Sequence, residues 1–154
     1  MKASSIMPEF SFREKAADIY LLQGNEKLAR QAYAEVISML GEDERSGHTV
    51  NLELSRVYSK LGNYSKAKEY AMREYRQRPE NIDVNGSLAW ISFKEGDNVS
   101  AEKFMVHALR TGTKDPETLW RASRISSASG KATESERLLA VMKTTNSIFD
   151  PIHQ

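Results

Sequence analysis

Histidines, carboxylates, serines and glycines are the residues from which a catalytic or metal site would be built, and here their spacing speaks against one. His48, His107 and His153 stand far apart, with none of the short separations that bring two imidazoles onto one metal ion. The chain has no cysteine, which excludes thiolate ligands and disulfides but leaves the compartment open. The glycines form neither G-x-G-x-x-G nor a phosphate-binding loop. No serine occupies the G-x-S-x-G setting of a nucleophile elbow. The acidic residues scatter among the basic ones as solvated faces do. The expectation is a chain that is not an enzyme, with no resident metal and no cofactor.

The remaining chemistry-bearing stretch is Lys66 to Arg78, "KAKEYAMREYRQR", where basic residues alternate with tyrosines. Phosphate binding is one reading of such a helix. It also carries Glu69 and Glu74, and the whole chain has a formal net charge of only +1, too little to draw it to nucleic acid or an anionic membrane. A solvated face with tyrosines turned inward is the reading preferred, and RNA binding ranks third among the function classes. The N-terminus "MKASSIMPEF" lacks the apolar core of a secretion signal, and no stretch is long and apolar enough to cross a bilayer. A soluble, cytoplasmic chain is the default, or a periplasmic one if it derives from a longer secreted parent.

The elements that would position any site come from a repeat. Gly24, Gly62, Gly96 and Gly130 recur at separations of 38, 34 and 34 residues. Five residues after each stands Ala29, Ala67, Ala101 or Ser135; seven before stands Ala17, Ser55, Ala89 or Ser123. Five before stands Ile19, Val57, Ile91 or Ile125, and eight after stands Ala32, Tyr70, Phe104 or Leu138. Each unit therefore reads as helix, glycine turn, helix. The glycine takes the left-handed conformation that ends the first helix, and the small residues sit where two helices approach closely. One hairpin cannot bury its apolar stripe alone, so the units stack.

Expected helices are 12–23, 27–40, 49–61, 65–78, 83–95, 99–111, 116–129 and 134–145. "SFRE" (Ser11 to Glu14) and "TESE" (Thr133 to Glu136) read as capping boxes. Asp115-Pro116 reads as an N-cap followed by a first-turn proline. The four extra residues of the first interval fall in "GEDERSGH", Gly41 to His48, expected as a surface loop. Repeats are expected at about 10–45, 48–81, 82–115 and 116–149 of a single domain, 1–154. Asp150-Pro151 repeats the start of a helix, so the chain is expected either to be a fragment of a longer repeat protein or to pair with another copy through its C-terminal end. A short tail that folds back is the alternative.

This pattern resembles the tetratricopeptide repeat family, whose signature runs W-x2-L-G-x2-Y, A-x3-F, P. The second unit carries it best, with Asn51, Leu54, Ser55 and Tyr58, then Ala67 and Ala71, then Pro79. The resemblance implies an all-α, right-handed superhelical solenoid of about four antiparallel hairpins. It further implies a non-enzymatic scaffold that binds an extended peptide or partner segment in a concave groove. The runner-up is a structural segment of a longer solenoid. The family's groove positions fall here on Glu14, Lys15, Asp18, Leu52, Glu53 and Arg56 of the first two units, and on Gly86, Ser87, Trp90, Trp120, Arg121 and Arg124 of the last two. Phe93 reaches the same surface. Acids prevail at one end, indoles and guanidiniums at the other. Arg56, Trp90, Phe93, Trp120, Arg121 and Arg124 are therefore the candidate binding residues for an acidic or aromatic protein segment. Trp90 and Trp120 read equally well as fillers between adjacent repeats. Gly86 would make room for a ligand or for the Trp120 ring, or is simply tolerated. The acids at Glu14, Asp18, Glu53 and Asp83 stand against a clamp for the terminal carboxylate of heat-shock chaperones.

Overall fold

The structure, a computed structural model, describes residues 8–149. Within them lie helices α1 (Glu9–Leu22), α2 (Glu26–Arg45), α3 (Asn51–Lys60), α4 (Tyr64–Gln77), α5 (Ile82–Lys94), α6 (Asn98–Leu109), α7 (Pro116–Ala128) and α8 (Ala132–Thr145). Every regular element among the described residues is helical. Closest pairing is between α1 and α2, α3 and α4, α5 and α6, and α7 and α8, and each hairpin then packs on the next. The arrangement is a solenoid of helical hairpins.

The hairpin turns have one design. Gly62 has φ 73° and donates its N–H to the Ser59 carbonyl, while Asn63 N–H reaches back to Tyr58. This pair of bonds satisfies carbonyls that the end of α3 would leave orphaned. Asn63 then serves α4 as well, its side chain accepting from Lys66 N–H. The same double use recurs at Asn25, which accepts from Leu28, and at Asp97, which accepts from Ser100. The fourth turn keeps the backbone bonds, but Lys131 supplies no side-chain cap. Asn and Asp after a turn glycine were thus a readable start signal.

The small columns are buried where the helices of a hairpin cross. Ala17, Ala89, Ala29, Ala67 and Ala101 are fully buried, and Ser55 donates its hydroxyl to the Ala67 carbonyl at 2.8 Å. Three buried clusters link consecutive hairpins. Tyr33, Val36 and Leu40 of α2 meet Leu54 and Val57 of α3. Ala67 and Ala71 of α4 meet Val84, Leu88 and Ile91 of α5. Met105 and Ala108 of α6 meet Leu119 and Ile125 of α7, with Leu138 and Met142 of α8 behind them.

Several local expectations need correction. Gly41 to Arg45 continue α2 instead of opening a loop, so α2 runs to 20 residues. Glycine costs a helix only about 1 kcal/mol, and the acids that follow find basic neighbours, as in the Arg73–Glu44 pair. Neither capping box forms. Helix α1 starts at Glu9 behind Pro8, and α8 starts at Ala132, which puts Ser11 and Thr133 inside their first turns. The cap at Asp115 does form, accepting from Thr118 N–H at 2.8 Å with Pro116 at the first helical position.

The two ends differ. Val57, Ile91 and Ile125 are buried by the preceding hairpin, whereas Ile19, in the same column, is 51% exposed. Phe12 is 60% exposed although its counterparts Val50 and Val84 are buried. At the other end Phe149 packs against the cluster of Leu138 and Met142, while Ile148 is exposed. Asp150, Pro151 and Ile152 lie outside the described residues.

Candidate functional site

Helices α3, α5 and α7 run side by side in the same direction, since each is the first helix of its hairpin. A groove of about 800 Å3 runs across them. On α5 its lining follows one helical face, with Asp83, then Gly86 and Ser87, then Trp90, then Lys94. These are separated by three or four, seven and eleven residues, the spacing of a single stripe. On α3 the lining is Leu52, Glu53, Ser55, Arg56, Ser59 and Lys60; on α7 it is Glu117, Thr118 and Arg121, with Asp115 at the cap.

Two clusters set the groove's electrostatics. At its α3 side Arg56 grips Glu14 with two parallel bonds, Nε and Nη2 each at 2.8 Å. Lys60 bridges Glu14 at 3.0 Å and Asp18 at 2.8 Å. Tyr33 donates its hydroxyl to Asp18. Glu14 is buried. Burial pushes its carboxyl upward, but the bond from Arg56 and the nearby Lys60 outweigh this and leave it below the usual range. Burial and the Asp18 bond push the Tyr33 phenol well above its usual value. These charges satisfy one another and staple the first hairpin to the second.

The second cluster surrounds Trp90, which is only 4% exposed. Phe93 stacks on its indole at 5.1 Å between centroids, and Trp120 leans on it at 5.5 Å. From the groove side the Arg121 guanidinium lies 5.2 Å from the ring centroid and the Lys94 ammonium 5.1 Å. Arg121 also pairs with Glu117. Burial lowers the Arg121 guanidinium from its usual value, against the pull of Glu117 and Asp115. Cations over an indole face gain from the ring quadrupole, and more so when partly desolvated.

Of the six candidate binding residues, Arg56, Trp90 and Arg121 line the groove. Phe93 and Trp120 are half-buried against Trp90, and Arg124 is exposed beyond the groove's lining. The expectation of an acidic first half is replaced by a different polarity. Glu14 and Asp18 are neutralised by Arg56 and Lys60, so they do not present an acidic end. Sequence reasoning missed Lys60 and Lys94 at the last turns of α3 and α5; Asp83, which it weighed only against a carboxylate clamp, lines the groove at the first turn of α5, as Glu117 does on α7. Their spacing from Arg56, Trp90 and Arg121 was the available signal.

Of the three readings of Gly86, one falls. A Cβ built there would meet Ala108 at 3.8 Å, an ordinary contact, and the Trp120 ring is not within that range. The glycine is not making room for the indole. Gly86→Ala should therefore stabilise the fold by about 0.5–1 kcal/mol, the difference in helix propensity. Urea denaturation measures it, and a net loss of stability would show that α5 needs the glycine for another reason.

Acid should loosen the staples. The Glu74 carboxyl, buried at the crossing of α3 and α4, accepts from Asn51 at 2.9 Å and pairs with Arg78. The Asn51 bond, with Arg78 beside it, holds it below the usual range despite burial. Both Glu14 and Glu74 therefore bind protons less readily folded than unfolded. Their stabilisation is complete above the unfolded carboxyl value, about 4.3, and is lost as pH falls through the lower folded values. The urea midpoint should hold from pH 7 to about 5.5 and drop below about pH 4.5. Glu14→Gln should cost about 2 kcal/mol at pH 7 and remove part of that acid dependence.

Among the described residues no group of three or more histidine, cysteine, aspartate or glutamate side chains could hold a metal ion. No helix there is long and apolar enough to cross a membrane. A search of curated proteins finds no match to the chain. The family model for the tetratricopeptide repeat matches residues 48–81, the hairpin of α3 and α4 with its fused turn. The other hairpins repeat the turn glycine and the small buried positions of the matched one, so the described residues form a solenoid of helical repeats similar to the tetratricopeptide type.

Proposed function

We propose that this chain is a non-enzymatic interaction scaffold that takes an extended segment of a partner protein along the groove across α3, α5 and α7. The groove carries the reading. Its volume is about 800 Å3 and it crosses three parallel helices. It sets charged side chains over the edge of a buried aromatic cluster, Trp90 with Phe93 and Trp120, and aromatic and arginine side chains are enriched in binding hot spots. In this reading Arg56 and Arg121 contact the segment at the centre, over the largely covered Trp90, and Phe93, Trp120 and Arg124 extend the surface beyond it.

Display of random 12-residue peptides against the full chain tests the proposal. Sequences should be enriched that bind the native chain and fail on Ser87→Trp, which places an indole in mid-groove, with circular dichroism confirming that the variant is folded. If no enriched sequence depends on an open groove, the receptor reading falls.

A second reading, a structural segment that abuts a neighbouring hairpin or another copy, is favoured by the exposure of Phe12 and Ile19. These columns are interior in the later hairpins. Sedimentation across a concentration range distinguishes it: association abolished by the Phe12→Ser, Ile19→Ser double variant supports pairing of copies through this face, and a monomer at all concentrations opposes it.

A further inference from the structure

The groove is polarised across its width, and this constrains what lies in it. Helices α3, α5 and α7 present their first turns along one rim. That rim carries Glu53, Asp83 and Glu117, with Asp115 at the cap of α7. The last turns of α3 and α5 form the other rim, with Lys60 and Lys94. Two such rims are roughly 10–17 Å apart, from a rise of about 1.5 Å per residue over seven to eleven residues. Five cations line the groove, Arg30 of α2 among them, and they are unequally committed. Arg56 and Lys60 answer Glu14 and Asp18, and Arg121 answers Glu117. Asp83 is exposed on one rim and Lys94, poised over Trp90, is exposed on the other.

The geometry points to a partner segment that is not uniformly acidic: an extended strand with lysine or arginine along the edge facing Glu53, Asp83 and Asp115, and a carboxylate on the opposite edge facing Lys94. The inference rests on the receptor reading of the same groove and specifies the ligand's chemistry. In an extended chain successive side chains point to opposite edges, so the matching sequence alternates basic and acidic residues. A purely acidic segment meets the carboxylate rim and is repelled. A purely basic one leaves Lys94 uncompensated. Partners are discriminated by such unfavourable pairings as much as by favourable ones.

Four fluorescein-labelled 11-residue peptides test this by anisotropy at low salt. Each has a central leucine. One alternates lysine and glutamate, one holds the same residues as a lysine block followed by a glutamate block, one is all glutamate and one is all lysine. The alternating peptide is expected to bind at least tenfold more tightly than its block isomer. The Glu53→Gln, Asp83→Asn double variant and the Lys94→Gln variant should each lose most of that preference while remaining folded. Their effects should shrink with added salt. Equal binding of the block isomer, tighter binding of the all-glutamate peptide, or binding of none overturns the inference. The receptor reading is decided separately by groove-dependent binders in the display experiment, whatever their charge pattern.

Discussion

Trp90→Ala should destabilise the chain by about 3–5 kcal/mol, the range for removing a large aromatic ring from a packed interior. The indole is almost fully buried and touches both α5 and α7 through Phe93 and Trp120. Its removal leaves a void that the stacked rings fill only by moving, and it takes the aromatic face from under Arg121 and Lys94. Trp120→Ala should cost less, about 1–2 kcal/mol, because that ring is partly exposed already and loses less buried area. Urea denaturation followed by circular dichroism gives both values. The Trp90 variant retains Trp120 as the one indole, whose emission should shift to the red as its packing partner disappears. A cost below about 1.5 kcal/mol for Trp90→Ala would mean that the ring is not a structural link between hairpins.

Gly62→Pro should be at least as damaging, with a loss of more than about 3 kcal/mol. Proline fixes φ near −65°, whereas this residue sits at 73°. It also removes the N–H that bonds to Ser59 at 3.0 Å. The Asn63 bond to Tyr58 and the Asn63 cap on Lys66 depend on the same backbone course, so α4 would leave α3 in the wrong direction. Gly62→Ala provides the graded control. Nothing lies within 4 Å of an added Cβ there, so its expected loss of about 1–2 kcal/mol is the left-handed conformation alone. Equal losses for the two variants would show that the hydrogen-bonded turn contributes nothing beyond its glycine.

The repeat was legible because it is written in short-range terms. A glycine at a turn, an alanine at a crossing and an apolar column are requirements that each hairpin imposes on its own residues, and Gly62, Ala67 and Val57 meet them. What failed were features set by competition between neighbours. Gly41 remained helical because α2 gains more by continuing than by stopping. Ser11 lost its capping role to a start two residues earlier, at Glu9. The groove's charges were harder still. Arg56 and Glu14 are forty-two positions apart, and only the rotation of one hairpin on the next brings them together. A list of residue types at groove positions counts both as lining, while the fold spends them on each other. Lys60 and Lys94 escaped notice for the complementary reason: they sit in the last turns of α3 and α5, outside the groove positions that the family pattern marks.

The fused turns have a kinetic corollary. Where one residue both closes a helix and opens the next, as Asn25, Asn63 and Asp97 do, the direction of return is fixed by a handful of consecutive residues. Most native pairing lies within a hairpin or with its immediate neighbour, so little entropy of long loop closure must be overcome before contacts form. Chains of such low contact order fold quickly, in microseconds to milliseconds. Any hairpin can serve as the seed from which order spreads along the stack in either direction.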